Sequence, residues 1–285
     1  MKRLVLLGGG HAHVKVLDDL ADQPLAGWDV HLVSPYRRQI YSGMLPGWIA
    51  GHYPIEACAI ALDSLAARSA AALHETSVVA LDLAHQAVQC ADGSSLHFDA
   101  LSIDTGPIPS LAALPGAAEH ALSVRPIERF IAAWPGVVER VGGQCRRFDL
   151  VLLGAGAAGV ELAFAIRHRA NVEGWSHLYL TVVGSDDWPL PGAPAATRQK
   201  TADLMKERGI QWKGGQRATR VDEHRIAFEG RASLDFDACL VATGAAAPTW
   251  PTAAGLATDE QGFIRVGRTL QSVSHPMVFA AGDVA

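Results

Sequence analysis

Leu150-Val151-Leu152-Leu153-Gly154-Ala155-Gly156-Ala157-Ala158-Gly159 is an apolar run that breaks abruptly into glycine. A second stretch, Leu4-Val5-Leu6-Leu7-Gly8-Gly9-Gly10-His11-Ala12-His13, repeats its form near the start of the chain. After the first, Val160 to Arg169 has helical spacing and Leu178-Tyr179-Leu180-Thr181-Val182-Val183 returns as a strand. After the second, His13 to Asp22 carries Val14, Val16, Leu17 and Leu20 at near-helical spacing, and Trp28-Asp29-Val30-His31-Leu32-Val33 follows as a strand. Near-continuous apolar strands of this kind belong to parallel sheets covered by helices on both faces. The chain therefore reads as α/β, with two Rossmann-like dinucleotide-binding domains.

The repeat extends further. Ser77-Val78-Val79-Ala80-Leu81-Asp82, Ala87-Val88-Gln89-Cys90 and Leu96-His97-Phe98-Asp99 form a small antiparallel excursion with polar turns between them. It leads into Ala100-Leu101-Ser102-Ile103-Asp104-Thr105-Gly106. The later half closes in the same way, through Arg220-Val221-Asp222 and Arg225-Ile226-Ala227-Phe228 to Ala238-Cys239-Leu240-Val241-Ala242-Thr243-Gly244.

Composition agrees with this class. The 285 residues suffice for two cores, 49% are hydrophobic and only 19% charged, and 24 Lys+Arg against 29 Asp+Glu leave a net charge of −5. A disordered chain and a basic nucleic-acid binder are both excluded. No apolar run is long enough to span a bilayer, and the apolar start reaches glycine too soon for a signal peptide, so a cytoplasmic location is expected.

The four cysteines, Cys58, Cys90, Cys145 and Cys239, are far apart in sequence and include no Cys-x-x-Cys. Cys90 and Cys239 lie in strand-like runs and read as small hydrophobes. Cys58 and Cys145 fall in less regular contexts, where either could be a reactive thiol. His11 and His13 are two apart but no cysteine or carboxylate cluster joins them, so no metal site is expected.

In a Gly-x-Gly-x-x-Gly turn the first glycine permits the tight turn, the second admits a pyrophosphate, and the third lets helix and strand pack closely. The helix N-terminus then offers N–H groups and partial positive charge to the phosphates. Gly154, Gly156 and Gly159 satisfy the pattern; Gly8 and Gly10 do so only in part, because His13 takes the third position. An acidic residue for the adenosine ribose should end the second strand of each unit. Ser34 stands there in the first unit and Gly184 in the second, with Ser185, Asp186 and Asp187 just beyond. No arginine adjoins Gly184 to hold a 2′-phosphate, which favours NADH over NADPH.

Together with Val278-Phe279-Ala280-Ala281-Gly282-Asp283, these motifs resemble the two-dinucleotide-binding-domain flavoproteins, the family of pyridine nucleotide-disulfide oxidoreductases and type II NADH dehydrogenases. The resemblance spans the chain. It implies FAD on the first turn and NAD(P)H on the second, with an NAD(P)H domain at residues 116–245 inserted into an FAD domain at 1–115 and 246–285. Gly8-Gly9-Gly10-His11-Ala12-His13-Val14 and Ser34-Pro35-Tyr36-Arg37-Arg38-Gln39-Ile40-Tyr41-Ser42-Gly43-Met44-Leu45-Pro46-Gly47 are further similar to the subfamily found beside selenide, water dikinase.

The resemblance also implies roles. Gly8, Gly10, His11 and Ala12 would lie at the FAD pyrophosphate, Ser34 and Pro35 near its ribose, and Val78 at the adenine through its backbone. Arg38, Ser42, Gly43 and Met44 would approach the flavin, Thr105 and Gly106 would mark a chain crossover against the cofactor, and Asp283 would accept from the ribityl chain with Gly282 beside it. Gly154, Gly156, Ala157, Gly159, Gly184 and Gly244 would serve NAD(P)H. Glu161 would stand near the nicotinamide, favoured as an anion by the helix start.

The family's disulfide members relay electrons through a vicinal cysteine pair, which this chain lacks. Direct delivery from flavin to a quinone, a small molecule or a partner protein is the expectation, and a non-catalytic nucleotide-binding docking module is the alternative. Gly282-Asp283 should open a helix, yet Ala285 follows at once. A missing C-terminal domain carrying an acceptor site or a homodimer interface is therefore expected.

Overall fold

The computed structural model describes every residue from Met1 to Ala285. The chain forms two compact units, one of residues 1–39, 59–108 and 246–285, the other of residues 40–58 and 109–245.

In the first unit, β1 (Lys2–Leu7) is the middle strand of a five-stranded parallel sheet. Helix α1 (His11–Asp22) carries the chain over to β2 (Trp28–Ser34), which pairs beside β1 with Leu4 opposite Val30. Ala100–Ile103 lies on the other side of β1, with Leu7 opposite Ile103, and the outer strands are Val278–Ala280 and Ala72–Glu75. Alternation divides β1 between two cores: Leu6 packs with Leu17, Leu32 and Leu62, while Val5 and Leu7 pack with Val33, Leu101, Ile103 and Val88. Burying each such aliphatic side chain is worth about 1.5–3 kcal/mol.

The second unit repeats the plan. Phe148–Leu153 is the central strand, the Ala157–Val172 helix follows its turn, and Leu178–Val183 returns beside it with Leu153 opposite Val183. Ala238–Val241 pairs on the other side. Leu150 and Leu152 face one core and Val151 and Leu153 the other, as in β1. Each unit also carries a three-stranded antiparallel sheet, 78–97 in the first and 218–235 in the second, where Arg231–Asp235 adds a strand that the sequence pattern did not single out.

The units differ from the expected boundaries at two places. Residues 109–115 cluster with the second unit, and so do residues 40–58. The reason for the latter is apolar burial: the short Leu45–Ile49 helix places Ile49 and Ala50 in the core built by Leu162, Ala163 and Ile166 of the Ala157–Val172 helix. Gly282–Val284 forms a single 3-10 turn. No helix is long and apolar enough to cross a membrane.

Candidate functional site

The first glycine turn is built around Asp104. Gly8 N–H donates to Val33 O at 2.8 Å and closes the turn at φ +89°, a conformation that favours glycine. A Cβ on Gly8 would overlap the Asp104 backbone, and one on Gly10 would overlap the Asp104 carboxylate itself. Gly10 begins α1 with no side chain to cap it. The cap comes instead from across the sheet: Ala12 N–H donates to Asp104 Oδ2 at 2.9 Å and His13 N–H to the same oxygen at 3.3 Å. These are the second and third amides of the helix, the ones an N-cap residue ordinarily satisfies. Asp104 is buried, at 6% exposure.

His13, at the third position of the motif, points inward at 1% exposure. Its Nδ1 lies 2.6 Å from Gly8 O and its Nε2 2.8 Å from Ser102 Oγ. A carbonyl oxygen can only accept, so Nδ1 carries the proton and Ser102 donates to Nε2. Burial lowers the His13 pKa, against the pull of the Gly8 hydrogen bond and Asp104, and keeps the ring neutral. With both nitrogens engaged inside the sheet, His13 forms no ligand pair with His11.

The other expected residues of the first unit gather at the carboxyl ends of its strands, the end where open α/β sheets take ligands. Ser34 is buried, its hydroxyl donating to Tyr36 O at 2.9 Å and accepting from Tyr36 N–H, so it shapes the loop and Pro35 is the exposed neighbour. Glu75 stands opposite Ser34 in the register and pairs with Arg37 at 2.8 Å. A carboxylate is thus present beside Ser34, supplied by the adjacent strand. Arg38 and Val78 are half-buried, while His11, Thr105, Gly282 and Asp283 are exposed, with Gly106 beside Thr105. Ser42, Gly43 and Met44 belong to the second unit, where Met44 O accepts from Tyr53 O–H at 2.7 Å.

The second glycine turn is closed by backbone alone. Gly154 sits at φ +109°, and a Cβ there would come within 2.5 Å of Ala242 O. A Cβ on Gly159 would overlap Gly154 O, so the third glycine permits the close helix–strand packing that the motif requires. Gly156 begins the helix and a Cβ would meet nothing within 4 Å, which leaves the space before Ala157 open. Thr243 and Gly244 are exposed at the end of the neighbouring strand. Gly184 lies under the Trp212 ring, and the backbone of Asp186 and Asp187 is tied to Gly215 N–H and Trp212 Nε1. Ser185, Asp186 and Asp187 are exposed there.

The helix start does not favour the charge of Glu161. Glu161 is exposed, but no acidic residue lies in the first turn of the Ala157–Val172 helix, and dipole stabilisation fades beyond that turn.

All four cysteines are free. Burial pushes the Cys58 and Cys90 thiols up and that of Cys239 to about 12, which removes Cys58 as a reactive thiol; Cys145 is the exposed one. An open cavity of about 650 Å³, lined by Arg146, Asp149, Arg225, Asp235 and Asp237, lies at the amino ends of the second unit's strands. Its arginines are already paired, Arg146 with Asp237 at 2.8 Å and Arg225 with Asp235 at 2.6 Å, and the glycine turn is at the other end of the sheet.

Over residues 2–285 the sequence matches the pyridine nucleotide-disulphide oxidoreductases. The chain belongs to that family. It is an oxidoreductase working with FAD and NAD(P)H; the open space beside Gly156 suits a pyrophosphate, while Gly8 and Gly10 of the first turn make room for Asp104. The probable ferredoxin reductase CtmF of Castellaniella defragrans is 28% identical across 99% of this chain and 68% of its own length. Demethylphylloquinone reductase NdbB of Synechocystis is 23% identical across 99% of this chain and 72% of its own. Among solved structures, sulfide:quinone oxidoreductase from Aquifex aeolicus superposes with a TM-score of 0.82 at 17% identity, covering all of this chain and 69% of that one. The water-forming NADH oxidase of Lactobacillus brevis gives 0.84 at 18% identity, covering all of this chain and 63% of that one. These likenesses carry the fold.

Proposed function

We propose that the chain takes a hydride from NADH held at the Gly154–Gly159 turn, delivers it to FAD held at the Gly8–His13 turn, and passes two electrons to an acceptor without a protein disulphide. The observation that carries this reading is the pair of glycine turns, each at the carboxyl end of a central strand and each opening onto a helix N-terminus. Bound flavin would supply the two-electron chemistry, and the protein would supply position and electrostatics.

In this reading Gly8, Gly10, His11 and Ala12 hold the flavin pyrophosphate, Pro35 and Val78 border the adenosine half, and Thr105, Gly106, Gly282 and Asp283 border the ribityl side. Arg38, Ser42, Gly43 and Met44 serve the flavin, while Gly156, Ala157, Gly184 and Gly244 border the nicotinamide nucleotide. The FAD domain is residues 1–115 and 246–285, and the NAD(P)H domain is 116–245. NADH is favoured because Asp186 and Asp187 follow Gly184 and would repel a 2′-phosphate.

The acceptor is a quinone, another small molecule or an iron–sulfur protein; two relatives are named for a quinone and for ferredoxin. The motifs at 8–14 and 34–47 support a place in the subfamily associated with selenide, water dikinase, and a cytoplasmic location is in keeping with that. The test is steady-state NADH oxidation by the FAD-loaded chain with a water-soluble quinone, then with a ferredoxin. Turnover with either supports the reading. Bound FAD with no turnover on any acceptor would favour the non-catalytic docking module, which the lack of an acidic residue at the end of Leu178–Val183 also suits.

A further inference from the structure

We propose that Asp104 is a positioning residue of the flavin site, a fixed anion that shapes the first glycine turn and limits how tightly the pyrophosphate of FAD is held. The inference rests on the reading that the first turn takes FAD.

Three glycines converge on this one side chain and its backbone. Gly8 abuts the Asp104 backbone, Gly10 abuts the carboxylate, and a Cβ on Gly282 would come within 2.6 Å of Asp104 Oδ1. Asp104 N–H donates to Leu7 O at 2.8 Å and Ala281 N–H donates to Ile103 O at 3.0 Å, which fixes the two flanking turns to the same strand end. The carboxylate is therefore wedged between the turn that would hold the pyrophosphate and the turn that would meet the ribityl chain.

Its Oδ2 takes the amides of both Ala12 and His13. A dinucleotide site of this type draws its hold on phosphate from the amides and partial positive charge of the helix N-terminus. Here a carboxylate engages two of those amides and offsets that charge, and Ala12 is one of the residues assigned to the pyrophosphate. The second unit has no such group. The atoms nearest to a Cβ on Gly154 are backbone atoms of Ala242 and Thr243, and the residue matching Asp104 in the strand before Thr243-Gly244 is Ala242. The arrangement thus belongs to the flavin turn and not to the glycine motif in general.

The test uses the flavin-free chain, titrated with FAD and with riboflavin by quenching of flavin fluorescence, for the wild type and for Asp104→Asn. The amide oxygen of the substituted side chain would still accept from Ala12 and His13, so the cap is kept and the charge removed. Binding of FAD is expected to tighten about tenfold, the order of effect a unit charge a few ångströms away exerts in a partly solvated site. Riboflavin, which has no phosphate, should bind both proteins equally. Asp104→Ser, a smaller neutral acceptor, should tighten FAD relative to riboflavin in the same direction and serves if Asp104→Asn folds poorly. FAD bound equally or more weakly by the neutral variants would overturn the inference, as would a matching change for riboflavin. Failure of the wild type itself to bind FAD would instead overturn the flavin assignment of the first turn, and the role of Asp104 with it.

Discussion

His13 Nδ1 donates to Gly8 O across 2.6 Å, so the residue that breaks the glycine pattern repairs it with a hydrogen bond. In the second turn Gly159 brings the helix close to Gly154 O by having no side chain. In the first, an imidazole fills the space and satisfies the carbonyl. Replacing His13 with Ala should remove two buried hydrogen bonds and leave a cavity, costing about 2–4 kcal/mol in denaturant unfolding. An unchanged midpoint would show that the contact is incidental.

The same ring predicts a pH dependence. Burial lowers the pKa of His13 and, chiefly by desolvation too, that of His74, which stacks on His31 beside Asp29 and Arg3. Because each folded value lies below the ordinary value near 6.5, the unfolded chain binds more protons between the two, and stability is lost as pH falls below that ordinary value. Thermal melts should show a decline in weakly acidic buffer that is shallower in His13→Gln. Equal slopes would show that His13 contributes nothing to it.

Two glycines of the second turn should respond differently. Gly159→Ala drives a Cβ into Gly154 O and should lower stability along with NADH binding. At Gly156 a Cβ meets nothing in the protein, so Gly156→Val should fold like the parent and raise the KM for NADH several-fold. If Gly156→Val leaves that KM unchanged, the nucleotide is held elsewhere.

The loop after Gly184 is expected to set coenzyme choice. The wild type should show a higher kcat/KM with NADH than with NADPH, and Asp186→Arg should narrow or reverse the ratio by offering a cation to the 2′-phosphate. A parent that prefers NADPH would contradict the assignment of Asp186 and Asp187.

Both central strands, both glycine turns and the returning strands were legible because their apolar runs and glycines are contiguous in sequence. Asp104 was not, since it acts on amides 92 and 91 residues away; the available signal was a carboxylate ending the buried strand Leu101-Ser102-Ile103. Glu75 escaped for a related reason: the acid beside Ser34 arrives on a neighbouring strand, where the spacing rule does not look. The packing of Ile49 against the Ala157–Val172 helix also joins distant segments, and nothing in Leu45-Pro46-Gly47-Trp48-Ile49 by itself names the unit it will join.

Whether two turns of one chain hold a flavin and its reductant is decided most directly by mixing the FAD-loaded chain with NADH without oxygen and following the flavin absorption band in a stopped-flow instrument. Rapid and complete bleaching by one equivalent of NADH is expected, with Gly156→Val slowed at low NADH. A flavin that stays oxidised with excess NADH and excess NADPH would contradict the assignment of the two turns.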